Sequence, residues 1–427
     1  MSASPVATKT LIEVRDLQVH FSIASSFKSR VTGRGGAVVK AVDGVSFDLH
    51  EGEVLGLVGE SGSGKTTLGR ALLGLVKPTA GSVKLRGEEL VGLSERELRP
   101  KRRHLQMVFQ DPHASLNPGM TLETALAHPL EIHKLTSGPA ETHAKVRETL
   151  ELVGLSPTER FAESLPSGLS GGQKQRAAIA RAIITGPDLV VADEPVSMLD
   201  MSVRAKILDL LIDLKQRIGL TYVYVTHDLA SAKFFCDRVA IMYLGRIVEI
   251  GTVDEIFEDP KHPYTQALIR AIPEPDPDKA LPRDLPRGEI PDAARPPLGC
   301  SFHPRCPKAF NLCGWEARDL RTMLEERWLE GGEELYNAER PLVGDLEKLK
   351  ATEHDAFLPA GSGKDPGDLL ALLEKIRGEE PDEPMWTGVK AMNAEAHGVR
   401  VTFEPGIDPP LYPTDGAQAA CLLYRPE

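Results

Sequence analysis

The chain has 427 residues, enough for two or three domains, and the composition of a water-soluble globular protein. No apolar run reaches the ~18 residues a membrane span needs, and the N-terminal MSASPVATKT lacks the basic-then-apolar pattern of a secretory signal, so a cytosolic chain is expected. The net charge of −12 is concentrated: Gly314 to Glu427 carries 24 Asp and Glu against 12 Lys and Arg, which leaves residues 1–313 neutral, and an acidic tail argues against nucleic acid as its partner.

Residues 11–19 (LIEVRDLQV) alternate apolar and polar and predict a strand, with Phe21 just beyond it. Residues 22–39 are polar and glycine-containing. With Lys40 they carry Lys28, Arg30 and Arg34 and no acid, as a solvated loop does, or a basic loop facing a nucleotide or a lipid surface. Residues 40–49 predict a second strand. The run 54–58 (VLGLV) is short and wholly apolar, as a buried strand is, and 67–75 is helical. Between them stand Gly59, Glu60, Ser61, Gly62, Ser63, Gly64, Lys65 and Thr66, continued by Thr67. Strand, glycine-rich loop and helix in this order can cradle phosphate. The glycines let backbone N–H groups curl inward, and the helix start adds unpaired N–H groups and a positive dipole end. Lys65 supplies a point charge, and the Thr66 hydroxyl can ligate Mg²⁺. A glycine-rich turn with a chance lysine is the plainer alternative.

Residues 81–90 predict a strand and turn, and 105–109 a short strand ending at Gln110. The stretch 112–135 mixes Pro, Asn and Gly with apolar residues at helical spacing. Helices are predicted over 142–155 and 170–185, the second capped by Ser170. Its entry reads LSGGQ, so Ser170, Gly171, Gly172 and Gln173 present a hydroxyl, backbone N–H groups and a helix N-terminus, a second anion site in one chain. The buried strand expected at 188–192 delivers two carboxylates. Asp193 can hold Mg²⁺ through water, and Glu194 can take a proton from an attacking water. A helix over 203–218, a strand over 220–225 and a hairpin around Gly245 complete an α/β domain with helices on both faces.

The phosphate loop, Gln110, LSGGQ, the Asp193–Glu194 pair, SMLD at 197–200 and Thr226-His227-Asp228 resemble the ATP-binding-cassette (ABC) ATPases in identity and in order. The resemblance spans about 11–257 and implies a P-loop ABC nucleotide-binding domain of α/β class, with a helical subdomain over about 112–176 and with ATP and Mg²⁺ as cofactors. It also implies two cassettes that sandwich ATP head to tail, which accounts for two anion sites per chain. Carried over by position, Phe21 stacks on adenine, residues 59–67 bind the phosphates, and Thr66, Gln110 and Asp193 attend Mg²⁺. Glu194 is the base, with Gln110 and His227 toward the γ-phosphate, while Ser170, Gly171, Gly172, Gln173 and Asp200 serve the partner subunit's ATP. Met198 departs from the alanine common in that family.

FQDP at 109–112, SLNP at 115–118, AVDGVSF at 41–47, HPYT at 262–265 and GCSFHPRC at 299–306 resemble, more narrowly, the ATPase subunits of oligopeptide and dipeptide importers. That implies a second homologous ATPase subunit, two transmembrane permeases touching 112–135, an extracytoplasmic solute-binding protein, and a peripheral position on the cytoplasmic face of the membrane. Relatives in that subfamily move sugars, nickel or opines, which stay open as cargo. A cassette protein acting on DNA or ribosomes is the alternative of another class; a single cassette, no long coiled coil and an acidic tail disfavour it. HPYT and the cysteine motif disfavour an exporter.

Three segments are expected: the cassette at 1–257, a Pro-rich linker at 258–298, and a C-terminal Cys-containing accessory domain at 299–427. Cys236 reads as a small core residue. Cys300, Cys306, Cys313 and Cys421 are spaced more widely than the usual zinc pairs, so a [4Fe–4S] cluster, Zn²⁺ and reduced thiols all remain open. Either metal makes the segment between Cys313 and Cys421 a loop closed by the site. Its length exceeds what the resemblance explains.

Overall fold

The computed structural model describes residues 9–22, 38–272, 287–352 and 354–426. Two compact units divide the chain, Met1–Asp259 and Pro260–Glu427.

The first unit opens with two long antiparallel strands, β1 (Thr10–Ser22) and β2 (Val38–His50), paired in register from Thr10↔His50 to Ser22↔Val38. Most of the basic 22–39 stretch lies outside the described residues, and Val38 and Val39 belong to β2. The wholly buried β3 (Val54–Val58) leads through the glycine loop into helix α1 (Lys65–Leu72). β4 (Ala80–Leu85) and β5 (Glu88–Glu89) join the first two strands in a sheet of order β2-β1-β4-β5. After it comes a short helix, α2 (Glu95–Lys101), which is not among the predicted elements; a Ser94–Glu97 capping box starts it and Pro100 lies inside it.

The core sheet continues with β6 (Leu105–Val108), β7 (Leu189–Asp193), β8 (Thr221–Thr226), β9 (Arg238–Tyr243) and β10 (Arg246–Thr252). In this unit the order is β10-β9-β3-β8-β7-β6, parallel except for the β9–β10 hairpin. β3, β7 and β8 are buried at every position, as strands covered by helices on both faces must be. Between β6 and β7 come α3 (Leu122–Ile132), α4 (Pro139–Leu152), α5 (Thr158–Glu163) and α6 (Gly171–Ile183). Leu122, Leu126 and Leu130 of α3 and Val146 and Leu150 of α4 share one apolar cluster with Ile179 and Ile183 of α6, so the helical part is continuous with the sheet's core. Then follow α7 (Met201–Ile218), α8 (Leu229–Phe235) and α9 (Val253–Glu258). Cys236 packs partly buried against this core, as expected.

The second unit starts inside the segment read as linker: α10 (Pro263–Arg270) begins on a proline at its first position, where the missing N–H costs nothing. The larger correction lies between Cys313 and Cys421. That segment is a folded α/β layer, not a loop. Helix α11 (Ala317–Glu339) bends at Gly332 (φ 74°), followed by the strands β11 (Lys350–Ala351) and β12 (Asp355–Pro359) and the helix α12 (Pro366–Glu379). A short helix, α13 (Met385–Gly388), leads into the β13 (Val389–Glu395) and β14 (Gly398–Phe403) hairpin. The antiparallel sheet runs β11-β12-β14-β13. Leu369, Leu372, Leu373 and Ile376 form the buried stripe of α12, at helical spacing. They pack with Trp315, Leu324, Trp328, Leu358, Val399, Val401 and Phe403 in a core of their own.

Candidate functional site

The site lies at the C-terminal ends of β3, β7 and β8, where parallel strands deliver side chains to a common edge. The loop after β3 wraps the Lys65 ammonium. Nζ donates to the Gly59 carbonyl at 2.8 Å, the Glu60 carbonyl at 2.9 Å and Ser63 Oγ at 3.3 Å. Two glycines are obligatory here. Gly64 has φ 100° and a Cβ would lie 2.0 Å from the Ala41 carbonyl oxygen; at Gly59 it would lie 2.2 Å from that of Met242. The loop is thus a cradle pressed against β2 and β9, with the unpaired N–H groups of the α1 start at its rim. Burial lowers the Lys65 pKa, opposed by Glu194, Asp193 and Glu60.

Thr66 Oγ1 donates to Asp193 Oδ1 at 2.9 Å, joining α1 to the end of β7. Burial raises the Asp193 pKa, while the Thr66 hydrogen bond and the Arg70 charge pull it down. A buried carboxylate beside a hydroxyl, with a cation required to offset its burial, suits a hard divalent ion such as Mg²⁺. Next to it Glu194 is held at φ 46°, in the left-handed region. Its backbone N–H donates to the Val225 carbonyl at 2.9 Å, extending the β7–β8 pairing. Gln110 Nε2 donates to Glu194 Oε2 at 3.0 Å, and His227 Nδ1 lies 2.9 Å from Oε1. A carboxylate can only accept, so Nδ1 carries a proton in this contact. A carboxylate clamped by an amide and an imidazole can receive a proton from a water placed between them and a phosphate.

Sequence reasoning overlooked Ser197. Its N–H and its Oγ both donate to the Glu194 carbonyl, at 3.2 and 3.0 Å, which pins the strained residue. The signal was available in Glu194-Pro195-Val196-Ser197, a turn closed by a serine.

The structure thus joins residues 59–66 with Gln110, Asp193, Glu194 and His227. Among the described residues it does not connect them to Ser170, Gln173 or Asp200 by any hydrogen bond or ion pair. Ser170 caps α6 and forms a capping box with Gln173, its N–H donating to Gln173 Oε1 at 2.9 Å. Ser170 and Gly171 are exposed. Asp200 caps α7, accepting from the Val203 N–H at 3.0 Å. Phe21 stands opposite Val39, two residues along β2 from Ala41, whose carbonyl abuts Gly64; it is 45% exposed.

The tail cysteines are not disulfide-bonded. Burial pushes the Cys300 thiol up, and Cys313, Cys421 and Cys306 add to it, so four thiolates here would repel one another. Cys306 is pushed up to about 12 by burial. The Phe310 N–H donates to Cys313 Sγ at 3.4 Å, and the Phe302 and Lys308 N–H groups favour the thiolates of Cys300 and Cys306. Among the described residues, no three His, Cys, Asp or Glu side chains converge to hold a metal ion.

Comparison with known proteins agrees with this geometry. Residues 42–197 match a family described as ABC transporter, and residues 248–313 one described as the oligopeptide/dipeptide transporter C-terminal region. The chain belongs to the ABC transporter ATPases, and within them to the branch that carries this oligopeptide/dipeptide transporter C-terminal region. It is 45% identical over 327 residues to the oligopeptide transport ATP-binding protein OppF of Escherichia coli, covering 76% of this chain and 96% of that protein. It is 44% identical over 308 residues to the oligopeptide transport ATP-binding protein AppF of Bacillus subtilis, covering 71% and 92%. Among solved structures, cbiO1 of Clostridium perfringens, part of an ABC transporter complex, superposes with a TM-score of 0.50 at 25% identity, covering 59% of this chain and 92% of that one.

Proposed function

We propose that this chain hydrolyses ATP to power import of peptides, paired with a second, homologous ATPase subunit beneath two permeases that an extracytoplasmic solute-binding protein supplies. The observation that carries the reading is the clamp on Glu194, set beside the Thr66–Asp193 pair and the Lys65 cradle. Residues 59–67 bind the phosphates of ATP, and Phe21 meets the adenine. The Glu194 carboxylate accepts a proton from water as that water attacks the γ-phosphorus in line and the bond to ADP breaks. Lys65 and His227 face the charge that develops on the phosphoryl oxygens. Thr66, Asp193 and Gln110 would hold Mg²⁺, which when bound neutralises phosphate charge. Ser170, Gly171, Gly172, Gln173 and Asp200 serve the ATP of the partner subunit. The exposure of Ser170, Gly171 and Asp200, and the absence among the described residues of any hydrogen bond or ion pair from Ser170, Gln173 or Asp200 to this chain's own phosphate loop, support that reading.

No described helix is long and apolar enough to cross a membrane. The chain's place in this reading is peripheral, on the cytoplasmic face. The cysteine set is read as a [4Fe–4S] site with a structural role. Burial and the neighbouring cysteines raise the thiols of Cys300, Cys306 and Cys313 while backbone N–H groups beside these three oppose the shift, so a positively charged cluster would be what holds them as thiolates. Cys300, Cys306, Cys313 and Cys421 would hold the cluster, which would tie the two ends of the tail together. Iron and sulfide near four each per chain support the cluster, zinc near one favours the alternative, and no metal leaves reduced thiols.

The test of the transport reading is reconstitution. In proteoliposomes with both permeases and the partner ATPase, peptide-loaded binding protein should raise ATP hydrolysis above that of the chain alone. Equal hydrolysis by the isolated chain, unresponsive to binding protein, would refute it. Stimulation by loaded sugar- or nickel-binding protein instead would reassign the cargo.

A further inference from the structure

We infer that the exposed acidic stretch of α11 on either side of its bend at Gly332, with Leu329 exposed within it, is a docking surface for a lysine- and arginine-rich cytoplasmic segment of the transporter's own permeases; this rests on the transport reading above. The family matches stop at residue 313, and OppF, covered over 96% of its length, accounts for only 76% of this chain. About a quarter of this chain therefore lies outside the alignment to OppF, and the family matches end before α11.

The chemistry of the surface follows from its charges. Helix α11 carries seven acids and three arginines. All three arginines are engaged: Arg318 with Glu316, Arg321 with Glu325 and Glu347, and Arg327 with Glu339, Glu379 and Glu380. Glu326, Glu330, Glu333 and Glu334 have no ion pair or hydrogen bond among the described residues, and all four are exposed. Within this acidic stretch Leu329 is 84% exposed. Tyr336, 44% exposed, packs edge-on against Trp328 with ring centroids 5.8 Å apart and walls an open cleft of about 380 Å³. An exposed leucine on a stretch whose carboxylates have no ion pair is complementary to a basic segment bearing an apolar side chain. An anionic bilayer surface and nucleic acid carry the wrong sign. Cytoplasmic loops of membrane proteins are enriched in Lys and Arg, which supplies the right one.

The experiment uses the full chain co-expressed with the permeases and the partner ATPase, and reads the fraction of chain retained on washed membranes across a salt series. Two variants are compared, Glu330→Lys/Glu333→Lys/Glu334→Lys and, separately, Leu329→Ser; both change exposed side chains outside the nucleotide site. The charge reversal should lower retention about tenfold at low salt, with the difference fading as salt screens it. Leu329→Ser should lower it several-fold at all salts, since apolar contact is not screened. ATP affinity of both should equal that of wild type. Normal retention of both variants would overturn the surface while leaving the transport reading intact. Equal retention of wild type on permease-free anionic vesicles would make the lipid the partner and also overturn it. Failure of the wild-type chain to co-purify with permeases would overturn both readings together.

Discussion

The nucleotide edge of the first unit and the exposed acidic stretch of α11 in the second put charge to opposite uses. At the nucleotide edge Lys65 and Asp193 are buried, and each is held by neighbours on other elements: Lys65 by loop carbonyls, Asp193 by Thr66. Buried charge is tolerable only when its partners are fixed, so the geometry there is over-determined, down to the left-handed backbone of Glu194. On α11 the unpaired glutamates keep their water, so nothing within the fold has to answer them. The first arrangement performs chemistry on a small ligand; the second suits recognition of a surface.

The contrast can be broken first at Glu194, proposed above as the base. Glu194→Gln keeps the shape and removes the base, so hydrolysis should fall about 10²- to 10⁴-fold while ATP binding persists. Single-turnover hydrolysis beside equilibrium nucleotide binding measures both. Unchanged turnover would remove Glu194 from the role of base.

The second unit has a buried ion cluster of its own around Arg327, and it should behave like the first unit's charges. Arg327 is almost enclosed; it donates to Glu339 at 2.7 and 3.0 Å, and Glu339 also accepts from Trp328 Nε1 at 3.1 Å. Arg327→Met should destabilise this unit by about 3–5 kcal/mol, because Glu339 is left buried and uncompensated. Adding Glu339→Leu should recover much of that loss. Calorimetric unfolding of the two variants checks it, with ATP affinity as the control for the first unit.

A pH scan sharpens the comparison further. His262 is buried, accepts the Tyr264 N–H on Nδ1 at 3.1 Å, and has its pKa lowered to about 3 by burial. The ordinary histidine value is near 6.5, so below it the unfolded chain takes the proton and the folded chain does not. Stability is therefore complete above pH 6.5 and lost as pH falls toward 3, at up to about 1.4 kcal/mol per pH unit. His262→Gln should flatten that slope in urea melts at pH 7 and pH 5. The smallest effect is expected at the signature helix, where Ser170→Ala removes a cap and should cost about 1 kcal/mol of first-unit stability.

Much of the first unit was legible in the sequence, because its signals are local. A wholly apolar five-residue run, a glycine loop and a helix follow one another in 54–72, and β7 delivers its two carboxylates at its own end. Helix ends also announced themselves where a side chain caps the backbone, as Ser170 does. They were missed by two residues where Asp200 starts α7, because a carboxylate cap inside SMLD looks like part of a motif. The tail was illegible for a different reason. Its strands run two to seven residues and pair antiparallel across the chain, β12 with β14 through Asp355↔Thr402, and no short motif marks such pairing.

The amino-acid order by itself announced the glycine loop, since a buried strand, a glycine-rich turn with Lys65 and Thr66, and a helix follow one another; that β2 and β9 press on Gly64 and Gly59 came only with the tertiary structure. Only the tertiary structure decided what surrounds the Glu194 carboxylate. Gln110 lies 84 residues away in sequence and His227 33, and both reach Glu194 because β6, β7 and β8 stand side by side in one parallel sheet. Likewise, nothing in the run 315–420 says which acids will be answered; that depends on where α11 and α12 bring their arginines. Arg327 meets Glu339, Glu379 and Glu380 at the junction of two helices, while Glu330, Glu333 and Glu334 face water. A charge's partner is set by distance in space, and the chain order does not contain that distance until the core has closed.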